Sequence, residues 1–200
     1  MRDSQRTVGV ILEAAERVIV QSGVEKATIE EVAREAGVSK GGVLHHFPSK
    51  GAIVVGLLDS LIAKFEADVC ARQARDPEPT GSFTRAFLNA VTEKNDHCIE
   101  VSFALKAAFR NCPELQELMR KANLRWQARI EQDGIDPVCA SVVRLATEGL
   151  WLAKLHRVTV PSEQYRSALM DYLVALTRTP IVQKQTAGNS TRRTRQLASR

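Results

Sequence analysis

Lys40, Gly41, Gly42, His45 and His46 crowd the stretch between Ser39 and Phe47, and Lys50 follows shortly after. An ammonium group, two imidazoles and two lengths of bare backbone on one short segment suit contact with phosphate oxygens and base edges. The plainer alternative is a solvated lysine and two histidines bonded to backbone at a helix end. Catalysis would need other material. The histidines at 45, 46, 97 and 156 and the cysteines at 70, 98, 112 and 139 form no nucleophile, acid–base pair or metal-ligand spacing, and there is no Gly-rich phosphate loop. The expectation is no enzyme, no cofactor and no metal, with the cysteines as buried thiols.

Local signals position that segment. Ile29, Val32, Ala33 and Ala36 make the apolar stripe of a helix about eight residues long. Thr28 precedes it with Glu31 three residues on, the pattern of a capping box that satisfies two free backbone donors. Gly37 supplies the left-handed residue that ends the helix, Val38 an apolar pin, and Ser39 the cap of a second short helix that Pro48 terminates. Two short helices about a tight break have helix-turn-helix geometry. In such a unit the start of the second helix faces the major groove of DNA while its other side packs on the first helix. Val43 and Phe47 are the expected packing side, and Leu44 is also expected to pack. Lys40, Gly41, Gly42, His45 and His46 then face outward, and the caps Thr28 and Ser39 can also touch phosphate.

The surrounding pattern is helical nearly throughout, so the expected fold class is all-α with about nine helices. Val8, Ile11, Leu12, Ala15, Val18 and Ile19 mark a first helix, and Ser49 caps a long fourth one whose buried face reads Val54, Leu57, Leu58, Leu61, Phe65 and Val69. Asp76-Pro77-Glu78-Pro79 is the clearest boundary signal. Beyond it, helices five to seven are marked by Phe83, Ile99 and Pro113. The eighth carries two apolar rows, one through Val138, Val142, Leu145, Gly149 and Leu152 and one through Val143, Ala146, Leu150 and Ala153, so it must be covered on both sides. A ninth presents Tyr165, Leu169, Tyr172 and Leu176. The expected division is a three-helix unit over 1–50, a linking helix over 51–76, a helical domain over 77–179 and a disordered basic tail over 180–200.

Composition constrains this reading without carrying it. Of 200 residues, 44% are apolar, enough for a folded core. The longest apolar runs fall far short of a membrane span, and the first residues lack the apolar stretch of a secretory signal, so no membrane association and a cytoplasmic location are expected. Lys and Arg number 28 against 23 Asp and Glu, a formal +5. Six of those cations lie in residues 178–200 with no acid, which leaves 22 basic against 23 acidic residues before them. Residues 1–70 hold eight basic and ten acidic residues, so DNA contact must rest on where a few charges sit.

The stretch TIEEVAREAGVSKGGVLHHFPSK resembles the DNA-binding domain of the tetracycline-repressor (TetR) family, over roughly residues 5–70. Lys50, after the Ser49 cap, matches the family's lysine at the start of the fourth helix, where an ammonium and a helix N-terminus can share one phosphate. Gly42 and Leu44 stand where the family often has Thr and Tyr. The resemblance implies a sequence-specific regulator that binds a double-stranded DNA operator as a homodimer, a repressor released by a small, mostly apolar effector. It also implies a ligand site and a dimer interface within residues 80–179. Candidates for the ligand site are Phe83, Phe87, Phe103, Trp126, Trp151 and His156, although aromatics at helical spacing are more often core. Candidates for the dimer interface are Leu145, Gly149, Leu152, Tyr165, Leu169 and Tyr172, a monomer with a buried eighth helix being the alternative. A helical ligand-binding or protein-interaction module that has lost DNA affinity remains a second reading.

Overall fold

The computed structural model describes residues 2–93, 96–158 and 161–179. Its first half contains α1 (Arg2–Ser22), a 3₁₀ turn (Val24–Lys26), α2 (Ile29–Ala36), α3 (Lys40–His46) and α4 (Lys50–Gln73). The second half contains α5 (Ser82–Thr92), α6 (Asp96–Phe109), α7 (Pro113–Glu131), α8 (Pro137–Leu155) and α9 (Glu163–Leu176). The fold is all-α. The expected basic tail, residues 180–200, lies outside the described residues.

Short polar side chains start the helices that matter most. Thr28 Oγ1 accepts from the Glu31 N–H at 3.2 Å, Ser39 Oγ from Gly42 N–H at 3.0 Å and Ser49 Oγ from Ala52 N–H at 3.1 Å. Each satisfies one of the donors a helix start leaves free, at about 1 kcal/mol apiece. The capping box at Thr28 is one-sided: the Thr28 N–H donates to the Lys26 carbonyl, and the Glu31 carboxylate pairs with Arg34. Gly37 ends α2 in the left-handed conformation at φ 67°, which a side chain would oppose.

Three buried clusters fill the interior. The largest holds Ile11, Ala15 and Ile19 of α1, Val32 of α2, Val43 of α3, Phe47, and Ile53 and Leu57 of α4, and it continues into Val101 and Leu105 of α6 and Leu115 and Ala122 of α7. Of its expected face, α4 buries Val54, Leu57, Leu58 and Val69 and half-buries Leu61 and Phe65, and it is buried at Ile53 and Ile62 as well, because α1, α5 and α7 all pack on it. His97 Nε2 of α6 lies 2.6 Å from Glu16 Oε1 of α1 at the edge of this shared core. The second cluster joins Val69, Phe83, Phe87, Ile130 and Ile135, and the third Leu88, Val143 and Leu173.

The helix covered on every side is α5, with nine residues from Ser82 to Val91 buried. A buried helix must satisfy its own free amides, and here the help is distant in sequence. The Asp133 carboxylate accepts from the Phe83 and Thr84 N–H groups at 3.1 and 2.7 Å. Arg85, 6% exposed at its side chain, donates to both carboxylate oxygens of Asp76 at 2.8 and 3.0 Å and to the Glu78 carbonyl at 2.6 Å. It also reaches Thr177 Oγ1 at 3.3 Å, so one guanidinium ties the α4–α5 loop to the end of α9. Gly81, at φ 75°, lies so close that a Cβ there would collide with the Thr177 carbonyl oxygen. The four cysteines are free, and the expectation that they are buried fails. Cys70, near the C-terminal end of α4, is exposed, and Cys98, Cys112 and Cys139 are half-buried.

Candidate nucleic-acid interface

Helix α3 is anchored on one side only. Val43 is fully buried and Phe47 is 8% exposed, both in the core shared with α1, α2 and α4. Lys40, Gly41, Leu44 and His45 are exposed on the opposite side, while Gly42 and His46 are half-buried. Thr28 and Ser39 are exposed caps flanking the turn. The expected packing role of Leu44 does not hold. At 38% exposed it stands among the polar residues, because the helix turns only Val43 and Phe47 inward.

The space around these residues is open. A Cβ at Gly41 would meet nothing nearer than Ser39 Oγ at 3.9 Å, so no internal contact explains the missing side chain. At Gly42 the same atom would lie 3.3 Å away, close against the cap. The rings of His45 and His46 meet edge to face with centroids 4.9 Å apart.

Both lysines already have partners. Lys40 Nζ lies 2.6 Å from Glu30 Oε1, and this ammonium holds the Glu30 carboxyl below its ordinary pKa. Lys50 Nζ donates to the Glu25 carbonyl at 2.7 Å, clipping the start of α4 to the turn before α2. An ammonium has three donors, so this bond leaves two of Lys50's for another oxygen. Nothing in the sequence singles out Glu30, since a surface glutamate ten residues before a lysine carries no local signal.

The helix-turn-helix half and the helices beyond it each match a known family model. Residues 11–57 match the family described as bacterial regulatory proteins, tetR family, and residues 81–178 match the tetracyclin repressor-like C-terminal domain. The chain belongs to the TetR family. The HTH-type transcriptional regulator TtgR of Pseudomonas putida is 34% identical over 92 residues, 46% of this chain and 44% of TtgR. The chain thus spans less than half the length of that TetR relative. The transcriptional repressor KstR2 of Rhodococcus jostii is 27% identical over 127 residues, 62% of this chain and 57% of that one. A putative transcriptional regulator from Pseudomonas aeruginosa PAO1 shares the fold at TM-score 0.68 and 17% identity, over 88% of this chain and 91% of its own. The multidrug binding protein EbrR, complexed with malachite green, aligns at TM-score 0.64 and 21% identity, over 84% and 96% of the two chains.

In the C-terminal TetR half, the structure gathers some ligand-site candidates and separates others. Phe83, Phe87 and Trp126 meet with Phe65 in one aromatic cluster, with Phe65–Trp126 and Phe87–Trp126 centroids 5.0 and 5.8 Å apart. Trp151 packs at the edge of the same core. Phe103 is 57% exposed and outside it. His156, the exposed cap residue of α8, accepts from Lys106 Nζ at 3.1 Å. Next to the aromatics, Glu66, Arg125 and Arg129 line a cleft with Val69, Cys70, Phe83 and Trp126. No local pattern marks the three charged residues, because their meeting joins α4 to α7 across some sixty positions of sequence.

The two rows of α8 do face opposite ways. Val143 is buried and Ala146, Leu150 and Ala153 half-buried, whereas Val138, Val142, Leu145, Gly149 and Leu152 are exposed. Tyr165 and Tyr172 of α9 are exposed at 70% and 63%, and Leu169 is half-buried against the third cluster. Among the described residues no group of three or more His, Cys, Asp or Glu side chains could hold a metal, and no helix is long and apolar enough to cross a membrane.

Proposed function

We propose that this chain is a sequence-specific transcriptional regulator that binds a palindromic operator as a homodimer and leaves it when a small molecule enters the C-terminal half. The outward face of α3 carries the reading. Lys40 supplies a charge for phosphate or guanine, Gly41 allows close backbone approach, and Leu44 offers methyl groups to the thymine C5-methyl. Lys50 and the Thr28 and Ser39 caps suit the phosphates on either side. The exposed row of α8, with Tyr165 and Tyr172 of α9, is an apolar surface suited to a twofold four-helix contact, and twofold pairing places two reading helices in successive major grooves. The aromatic cluster beside α4 supports the ligand-release step, since α4 links that cluster to the α3 anchor. A ligand there acts through unequal affinity for the bound and free arrangements. Such a protein works beside genomic DNA, in the cytoplasm.

Selection of duplexes from a random pool with the full chain tests this directly. The expected product is a pair of inverted half-sites about one helical turn apart or a multiple of it. Failure to enrich any sequence, with binding to random duplex no steeper in salt than that of a neutral protein, overturns it.

A further inference from the structure

The cleft between α4, α5 and α7 has a charge pattern that narrows what can enter it, and this inference rests on the ligand-release reading above. Its volume is about 200 Å³. A cavity of roughly 150 Å³ holds benzene, so the space suits one substituted ring. Val69, Phe83 and Trp126 give it apolar walls.

Its polar groups are unequal. Glu66 Oε1 accepts from the Arg125 guanidinium at 2.8 Å and from the Trp126 indole N–H at 3.0 Å, so that carboxylate and that cation answer one another. Arg129 has no such answer. Its guanidinium stacks 3.9 Å from the centroid of the Phe83 ring and donates to Gln73 Oε1 at 2.7 Å and Cys70 Sγ at 3.8 Å, with no carboxylate among these partners. The cleft therefore carries one cation in excess, on a planar fork suited to two parallel bonds with a carboxylate. The Phe83 face, which would otherwise attract an organic cation, is already taken by Arg129. The Gln73 bond and the ring beneath hold the guanidinium at the cleft wall, so a ligand finds it in place.

We propose that the effector is a small aromatic carboxylate, its ring against Val69 and Trp126 and its carboxylate on Arg129. A neutral or cationic compound of the same shape loses that bond or meets repulsion.

Three matched probes test the charge alone: p-toluate, p-toluamide and p-methylbenzylammonium, titrated into the full chain by calorimetry and tryptophan fluorescence. The expected order is toluate tighter than the amide by about tenfold or more, with no binding of the ammonium. Arg129→Gln brings toluate down to near the level of the amide, weakening toluate far more than the amide, and Arg129→Lys restores part of the loss. Equal binding of toluate and amide, preference for the ammonium, or no binding of any of the three overturns the proposal. The comparison on the unaltered chain decides even if a variant folds poorly. Operator release is read separately by gel shift. Toluate that binds without freeing operator counts against the release step while the carboxylate assignment stands.

Discussion

Helices α3 and α5 are held in place by opposite means. The backbone of α3 is set from nearby, where Ser39 caps it and Gly37 turns into it, and only Val43 and Phe47 reach into the shared core. Helix α5 depends on groups far along the chain, with Asp133 capping it from about fifty positions away and Arg85 reaching Thr177 across 92. The helix with local supports leaves one whole side open, and the one with distant supports leaves almost none. A surface meant to meet another molecule is thus built from a short continuous segment, while the interior is locked by contacts that require the whole chain.

The contrast is broken most sharply at Arg85. Arg85→Met strands Asp76 without its partner and is expected to cost about 3–5 kcal/mol of stability, measured by denaturant unfolding. A loss below about 1 kcal/mol would show that α5 does not need its distant supports. Arg85 also holds the Asp76 carboxyl below its ordinary pKa. The unfolded chain binds that proton more readily, so the Asp76 contribution is full above the unfolded carboxylate range and disappears as pH falls through the folded value. In Arg85→Met the acid limb of the stability profile should be shallower.

Next comes the open side of α3. Lys40→Glu should weaken operator and random duplex alike, about tenfold or more, and flatten the salt dependence by about one for each half-site. Unchanged binding to both would remove Lys40 from the interface. A smaller effect is expected at Leu44. Replacing the contacted thymine by deoxyuridine deletes one methyl and should cost about fourfold per half-site, and Leu44→Ala should abolish that difference. If no thymine in the operator shows this coupling, Leu44 reads no methyl. The smallest effect lies inside α5, where Thr84 is buried with its hydroxyl unpartnered. Thr84→Val should raise stability by about 1 kcal/mol or less, since it removes a desolvated hydroxyl and keeps the shape.

The same contrast explains what was legible in the sequence. The order of the helices and the turn about Gly37 follow from caps and apolar spacing, which act within a few residues. The placement of Val43 and Phe47 inward and Lys40 outward follows from helical geometry alone. Leu44 misled because apolar character suggested packing, although its register on α3 leads away from Val43. Arg85 gave no signal of burial, for its solvation is replaced by Asp76, Glu78 and Thr177, which only the folded chain assembles. Glu30, Glu66 and Arg129 stayed hidden for the same reason: each gains its role from a residue on another helix.

The shared core has a consequence for the modularity of such proteins. The proline-rich stretch at 76–79 invites a cut, yet Val101, Leu105, Leu115 and Ala122 from beyond it pack with the residues that anchor the reading helix. A chimera joined there would graft the DNA-reading unit onto foreign α6 and α7 surfaces and leave holes beneath α1. The side chains draw the seam elsewhere: whoever exchanges the sensing half must carry the inner faces of α6 and α7 with the reading unit, including the His97 contact to Glu16.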